Sequence, residues 1–261
     1  MKIVVCAKFI PDPNLALVVD PDKKRVVRDP SQSILDPGDE FGIEAALQLA
    51  EKHGGEVVAV SMGPESADAG IRRAMAMGVE RAILITDQSL EGSDALTTAE
   101  VLSSVIASEA PDIVVTATES TDAYTGMVPG AMAAMLDMPQ LTFVRSIEVD
   151  GQTVTAQRDY ENGYQTVKAE MPAVVTVTAS IAEPRYPSFK GLMQAKRKPI
   201  DTRDVAAVGL DAGAVGESGA QERVLDVSKV EIEKQTRMIE DDGEGDSVGE
   251  IVTYLKQIQA I

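Results

Sequence analysis

The sequence has few of the residues on which metal binding and nucleophilic catalysis depend. Its 261 residues include one cysteine, Cys6, and one histidine, His53. A single cysteine excludes an internal disulfide, and a single histidine leaves no cluster with the spacing of metal ligands. We therefore expect no metal site, no Ser-His-Asp triad and no catalytic residue in this chain.

Tryptophan, basic residues and long apolar runs are also scarce. The 24 Lys and Arg are outnumbered by 42 Asp and Glu, which gives a net charge of -18, and there is no Trp. This balance argues against a nucleic-acid partner, since phosphate binding needs clustered cations over a broad surface. No segment approaches the ~18 uncharged apolar residues that span a bilayer, so we expect no direct membrane insertion.

The N-terminus offers no targeting segment. Residues Met1–Cys6 pass straight into a strand pattern, without the charged and apolar regions of a cleavable signal. We expect a cytoplasmic protein, or a matrix protein written without its transit peptide.

The first 145 residues alternate short β-branched runs with longer amphipathic runs. This alternation is typical of a doubly wound α/β fold with a mostly parallel sheet. The runs predict buried parallel strands at 2–6, 56–62, 81–86 and 112–118. Between and after them they predict helices near 38–52, 65–77, 94–109 and 126–137.

Two additions to this core are predicted. A hairpin at 17–27, with an Asp-Pro-Asp turn, follows the first strand and is expected to decorate the core without joining the sheet. From residue 141 the pattern changes to an antiparallel hairpin followed by a returning strand, which makes the sheet mixed. The strands of this part are predicted at 143–150, 153–159, 164–168 and 173–178.

The chain is predicted to divide near residue 205. Residues 1–205 form the α/β domain, and 206–261 form an extended arm, because 206–221 is rich in Ala and Gly and 239–250 is acidic and glycine-rich. The last run, 247–261, has apolar residues at helical spacing and predicts an amphipathic helix. Such a helix has to pack on something, either a partner subunit or its own domain.

A ligand site is expected at the carboxyl ends of the parallel strands, where strand order reverses. Neither the glycine-rich dinucleotide fingerprint nor the Walker loop is present, so a nucleotide site has to be built in another way. Four loops end strands at suitable places: 6–8, 36–39, 61–64 and 118–128.

The loop 118–128 is the most suggestive of the four. Its small residues lead into the predicted helix, so the backbone N–H groups of Gly126, Met127 and Val128 can face a phosphate. An ordinary capped loop is the competing interpretation. Asp36 is interpreted mainly as the N-cap of the helix that Pro37 begins.

One segment reverses the sign of the chain's charge. Residues 183–198, the docking segment, hold five cations and one acid. Two prolines keep its start extended, and Tyr186 and Phe189 stand beside Arg185 and Lys190 before a short helical run. Aromatic anchors ringed by cations suit a docking surface, although a solvated basic face is the alternative.

The order of residues in this segment resembles a family signature. Glu183-Pro-Arg-Tyr186, followed by Ser188, by Leu192-Met-x-Ala195 and by three basic residues, is similar to the signature of the beta subunit of electron-transferring flavoproteins. Six stretches follow the family's pattern in order: Ile3 to Lys8, Leu35 to Leu49, Val57 to Pro64, Ile71 to Arg81, Asp112 to Gln140 and Pro172 to Lys198.

The resemblance implies an adenine-nucleotide alpha-hydrolase-like fold that holds a structural AMP. FAD is carried chiefly by an alpha subunit and is partly covered by this one, which is an electron carrier subunit and not an enzyme in its own right. Acyl-CoA dehydrogenases of fatty acid oxidation, or related dehydrogenases, would donate electrons, and a membrane-bound quinone reductase would accept them.

The resemblance also implies site residues. Those assigned to the nucleotide are Cys6, Ala7, Asp36, Met62, Thr118, Thr121, Asp122, Ala123, Tyr124, Thr125, Gly126, Met127 and Val128. Those assigned to dehydrogenase docking are Arg185, Tyr186, Phe189, Lys190, Leu192 and Met193, with Phe189 as the apolar plug. Cys6 and Met62 are expected as packing groups beside the adenine, and burial would keep the Cys6 thiol inert.

The chain departs from better-known members at one place, and two alternatives stay open. Those members carry Asn, Gln and Thr at the positions of Gly126, Met127 and Val128, so here the backbone has to bind the phosphate. One alternative is an electron-bifurcating type, with a second FAD in place of AMP and NADH as donor. The other is a stand-alone adenine-nucleotide-binding stress-type module.

Overall fold

A nine-stranded sheet lies at the centre of the computed structural model, which describes residues 1–230, 236, 238–241, 243 and 246–261. Two further pairs of strands form small separate sheets. In chain order the strands are β1 Lys2–Cys6, β2 Phe9–Pro11, β3 Val19–Asp20, β4 Arg25–Val26, β5 Ser33–Leu35, β6 Glu56–Met62, β7 Arg81–Ile85, β8 Ile113–Ala117, β9 Gln140–Asp150, β10 Thr153–Tyr160, β11 Gly163–Glu170, β12 Ala173–Val177 and β13 Asp201–Arg203.

The strand order across the large sheet is β11-β10-β9-β12-β8-β1-β6-β7-β13. All pairs from β9 to β13 are parallel, and β10 runs antiparallel to both β9 and β11. The chain builds β1, β6 and β7 towards one edge and then returns to place β8 on the other side of β1. The order therefore reverses between β1 and β8, which confirms the predicted doubly wound, mostly parallel α/β fold.

The described residues contain the helices α1 Pro37–His53, α2 Asp68–Met77, α3 Ala95–Glu109, α4 Val128–Met135, α5 Phe189–Ala195, α6 Gly216–Gly219 and α7 Asp246–Gln257. Helices α1 and α2 pack on one face of the sheet, and α3 and α4 pack on the other. Residues of β1 alternate between the faces, as strand geometry requires: Ile3 and Val5 pack with α1 and α2, whereas Val4 packs with α3. Most buried side chains of both layers are apolar, which explains why the parallel strands are nearly continuous apolar runs in the sequence.

Most predicted elements are observed within a few residues of their expected bounds. The strands β1 and β6 match to the residue, and the hairpin of β3 and β4 stays outside the large sheet. The helix expected from 126 begins only at Val128. Tyr124 and Gly126 before it have φ angles of 50° and 61°, a left-handed conformation from which a helix cannot start. The edge strand β13, of three residues, was not predicted.

The compact unit that contains the sheet runs from Met1 to Val227, beyond the expected start of the arm at 206. Val205 and Val215 are buried against the α3 face of the core, which holds this part of the chain on the domain. The backbone N–H groups of Gln221 and Glu222 also donate to Asp94 Oδ2 at the start of α3, over 2.6 and 3.1 Å.

The second compact unit, Ser228–Ile261, contains α7. The helix predicted at 247–261 is observed at Asp246–Gln257, and several of its apolar side chains are exposed. Residues 242, 244 and 245 of the predicted acidic stretch lie outside the described residues.

Candidate functional site

A cavity of about 1180 Å³ opens at the carboxyl ends of β1, β6 and β8, where strand order reverses. It exceeds the ~300–1,000 Å³ of an ordinary small-molecule site. Eight of the residues assigned to a nucleotide line it: Cys6, Ala7, Met62, Asp122, Ala123, Thr125, Gly126 and Val128. The other five, Asp36, Thr118, Thr121, Tyr124 and Met127, do not.

Three of these five residues hold the loop 118–128 in place. Asp36 is fully buried and caps α1, because its Oδ1 accepts from Gly38 N over 2.9 Å. The same carboxylate accepts from Thr121 N over 2.7 Å and from Thr121 Oγ1 over 2.6 Å. Thr118 Oγ1 donates to the Val177 carbonyl over 3.0 Å, which ties the loop to β12. These side chains therefore hold the loop in position without lining the cavity.

The last three residues of the loop, Gly126, Met127 and Val128, have no polar side chains. Tyr124 and Met127 are exposed and are not part of the cavity lining. Met127 occupies the N-cap position of α4 without a side-chain hydrogen bond, and Pro129 in the first turn has no N–H. The start of α4 thus offers fewer donors to an anion than an ordinary capped helix would.

Two cations form ion pairs with one buried carboxylate of this loop. Asp122, whose side chain is 2% exposed, accepts from Lys8 Nζ and from Arg28 Nη2, each over 2.6 Å. Lys8 Nζ also donates to Ser120 Oγ over 3.2 Å. Burial alone would raise the pKa of Asp122, but the charges and hydrogen bonds of Lys8 and Arg28 hold it below its ordinary value. Lys8, Arg28 and Asp122 all line the cavity.

The wall near β1 contains a neutral thiol and a buried acid. Burial, together with the charge of Asp39, raises the pKa of Cys6 to about 12, so the thiol is protonated at neutral pH. Asp39 Oδ2 accepts from Lys8 N over 2.7 Å. Burial and the neighbouring Asp36 raise the pKa of Asp39 well above its usual range. The loop 36–39 was among those predicted at the site, but Asp39, which lines the cavity, was not among the residues assigned to the nucleotide.

The inserted hairpin forms part of the rim. Lys23, Lys24 and Arg25 of the hairpin line the cavity, together with Arg28, which follows the hairpin. Arg25 pairs with Glu91 over 3.3 Å and with Glu217 over 3.5 Å, which joins the hairpin to the opposite side of the opening. The sequence did not predict these lining residues, because nothing in the hairpin indicates on which part of the domain it packs.

The docking segment is fixed at its start and exposed at its centre. Arg185 forms ion pairs with Glu44 and Glu51 of α1, so this predicted partner-binding side chain has partners within its own chain. Tyr186 and Phe189 are 92% and 81% exposed, and Lys190, Leu192 and Met193 are exposed beside them. The resulting aromatic and aliphatic patch is of the kind that marks interaction sites.

The helix α5 that carries Phe189 is well anchored. Ser188 Oγ caps it by accepting from Gly191 N over 3.0 Å, and Arg72 Nη1 donates to the Ala195 carbonyl over 2.6 Å. A Cβ at Gly191 would lie 2.5 Å from the Ala76 carbonyl oxygen, so only glycine allows α5 to pack this closely on α2. The exposed side chains are therefore presented by a rigid element.

Within the described residues, no helix has the length and apolar character needed to cross a membrane. The same part of the chain shows no group of three or more His, Cys, Asp or Glu placed to hold a metal ion.

The fold and the site define a doubly wound α/β protein with a ligand-sized cavity at the carboxyl edge of its sheet. A family model described as "Electron transfer flavoprotein domain" matches residues 24–208. The electron transfer flavoprotein subunit beta of Mycobacterium leprae is 35% identical over 260 residues, 97% of each chain. The subunits beta of Megasphaera elsdenii and Thermoanaerobacterium thermosaccharolyticum are 36% and 34% identical, over 86% and 90% of each chain. The chain belongs to the electron transfer flavoprotein beta subunit family.

Proposed function

We propose that this chain is the AMP-holding subunit of a two-subunit electron transfer flavoprotein in the cytoplasm. The observation that carries the proposal is the cavity at the reversal of strand order, lined by eight of the residues that the family resemblance assigns to AMP. An alpha subunit supplies most of the FAD site. The chain itself makes and breaks no covalent bond, and its part is to position the flavin and its partners.

The cavity suits an adenine nucleotide in one orientation. Cys6, Ala7 and Met62 give the β1 and β6 side an apolar wall with a neutral thiol, which favours the adenine ring. The loop 122–128 and Lys8 give the β8 side its polar character, which favours the phosphate. Because Asp36 and Thr121 lock this loop to α1, the site is largely formed before the ligand arrives.

The docking segment supports the proposed role in positioning partner proteins. The exposed Tyr186 and Phe189, with Leu192 and Met193, form an apolar patch on a rigid support. A patch of this kind can dock an acyl-CoA dehydrogenase or a related donor and leave the flavin free to be reduced. A quinone reductase would then take the electrons from the complex.

The size of the cavity favours a second candidate within the same family. At about 1180 Å³ the cavity has space beyond an AMP molecule, on the side lined by Leu90, Thr98 and Leu102. A second FAD could extend into that space, with NADH as the electron donor. Membership of the family leaves the stand-alone nucleotide-binding module without support.

Nucleotide analysis of the complex with its alpha subunit tests both candidates. After denaturation, the first predicts one AMP and one FAD per pair of subunits, and an isolated beta chain that is nearly colourless. Two FAD and no AMP would establish the second candidate instead. A chain that forms a stable homodimer and takes up no second subunit would contradict both.

A further inference from the structure

The group formed by Lys8, Asp122 and Arg28 holds two positive charges against one negative charge. Both cations contact Asp122 over 2.6 Å, and the carboxylate is almost fully buried. Asp39 and Glu119 are the acids closest to this group, and both line the cavity. Counted by itself, the group of Lys8, Asp122 and Arg28 has one more positive than negative charge, which an anionic ligand would neutralise.

The end of the loop 118–128 supplies no charged donor for a phosphate. Gly126, Met127 and Val128 have no polar side chains, and Pro129 has no N–H. Backbone amides and the hydroxyl groups of Ser120 and Thr125, which line the cavity, would leave a phosphate with little charge compensation. The two cations lie where that compensation is missing.

We propose that Lys8 and Arg28 bind the phosphate group of the nucleotide directly. This inference rests on the proposed nucleotide site. Arg28 has five N–H donors and uses one on Asp122, so it can present the others to phosphate oxygens in the paired geometry that guanidinium groups favour. Lys8 adds a second charge-assisted hydrogen bond from the end of β1.

The origin of Arg28 gives this binding mode a consequence. Arg28 follows the inserted hairpin, which lies outside the large sheet, whereas Lys8 and Asp122 follow its central strands β1 and β8. A phosphate held by Lys8 and Arg28 would join the hairpin to the end of β1. The hairpin is therefore a binding element for the charged end of the ligand, and the adenosine end does not need it.

Comparing AMP with adenosine separates direct phosphate binding from a merely structural role. We would measure both affinities by calorimetry on the complex with its alpha subunit, after removal of bound nucleotide, for wild type and Arg28→Gln. We expect the AMP affinity to fall ~10-fold or more, as for loss of a hydrogen bond to a charged group, with adenosine affinity unchanged. Arg145→Gln is the matched control, since Arg145 pairs with Asp159 over 3.3 Å and is not part of the cavity lining. Its AMP and adenosine affinities should both stay near those of wild type.

The other outcomes distinguish a failure of this inference from a failure of the proposed function. Equal losses of AMP and adenosine affinity in Arg28→Gln, or no loss, would overturn the inference and leave the nucleotide site intact. A wild-type complex that binds neither AMP nor FAD would overturn the proposed function as well. Arg28→Lys keeps the charge but lacks the paired donors, so it should fold and should lose less AMP affinity than Arg28→Gln. An equally large loss of AMP affinity, with adenosine affinity unchanged, would show that Arg28 acts through its paired donors and not through its charge.

Discussion

Arg185 of the docking segment forms a paired ion contact with Glu44 in the middle of α1, with Nε–Oε2 at 2.7 Å and Nη2–Oε1 at 3.0 Å. The same helix is capped by Asp36, which holds the loop 118–128 through Thr121. One helix of 17 residues thus supports both the docking segment and the nucleotide site.

The first prediction concerns the stability that this ion pair supplies. Burial would raise the pKa of Glu44, but Arg185 and Gln48 hold it below the ordinary value, so the carboxylate is charged. Arg185→Met leaves that buried charge without its main partner and should lower the free energy of unfolding by about 3 kcal/mol. Chemical denaturation of the purified chain measures the loss.

Lys190→Met is the control for this experiment, because Lys190 is exposed in the same segment. It should leave stability within about 0.5 kcal/mol of wild type. Glu44→Gln combined with Arg185→Met should recover part of the loss, since no buried charge then remains. A single Arg185→Met variant as stable as wild type would show that the pair does not hold the segment.

The second prediction concerns the thiol of Cys6. With a pKa of about 12, the thiol is almost wholly protonated between pH 7 and 9, and only the thiolate is nucleophilic. Iodoacetamide should therefore modify the native chain far more slowly than the same chain unfolded in urea, as followed by intact mass. Rapid modification of the native protein at pH 7 would contradict the assigned environment and reopen a redox role.

The third prediction concerns acid. The pKa of Asp122 is lower in the folded chain than its ordinary value near 4, so its ion pairs contribute stability that is present above pH ~4. That contribution is lost as the pH falls through the lower, folded value. Asp122→Asn should be less stable than wild type at pH 7, and the difference should shrink below pH ~4. Melting temperatures of both forms between pH 3 and 7 measure it; a constant difference would exclude Asp122 as its source.

The sequence predicted the scaffold better than the site, for a physical reason. β1 and β6 could be placed to the residue because buried parallel strands are continuous β-branched runs. The start of α4 was placed too early, since the left-handed angles of Tyr124 and Gly126 do not follow from residue type. Lys8 and Arg28 meet Asp122 across 114 and 94 residues of sequence, and such pairings depend on the folded chain alone.

The same limit applies to Arg185. Its place in the family signature predicted contact with a partner protein, and nothing in the local sequence shows Glu44 at a separation of 141 residues. In the folded chain its guanidinium is already engaged. We therefore expect Arg185 to act by holding the docking segment in position, whereas the exposed side chains of the segment make the contacts.

The fourth prediction concerns Phe189, the exposed aromatic residue at the start of α5. Its side chain is 81% exposed and contributes little to the core, so Phe189→Ala should leave the melting temperature and the nucleotide content unchanged. Loss of a central aromatic anchor typically costs a complex ~2 kcal/mol, which is roughly a thirtyfold loss of affinity. Electron transfer from a dehydrogenase to the assembled flavoprotein should show that loss in its apparent KM.

Tyr160→Ala provides the matched control, because Tyr160 is a similarly exposed aromatic residue, 60% accessible, at the end of β10 and outside the docking segment. If Phe189 docks the donor, only the Phe189 variant loses apparent affinity, and both variants fold and bind nucleotide normally. Equal losses in the two variants would point to a general effect of surface aromatic residues. A Phe189 variant with the wild-type KM would mean that the dehydrogenase binds another surface. The ring is too exposed for repacking of the core to compensate for its loss.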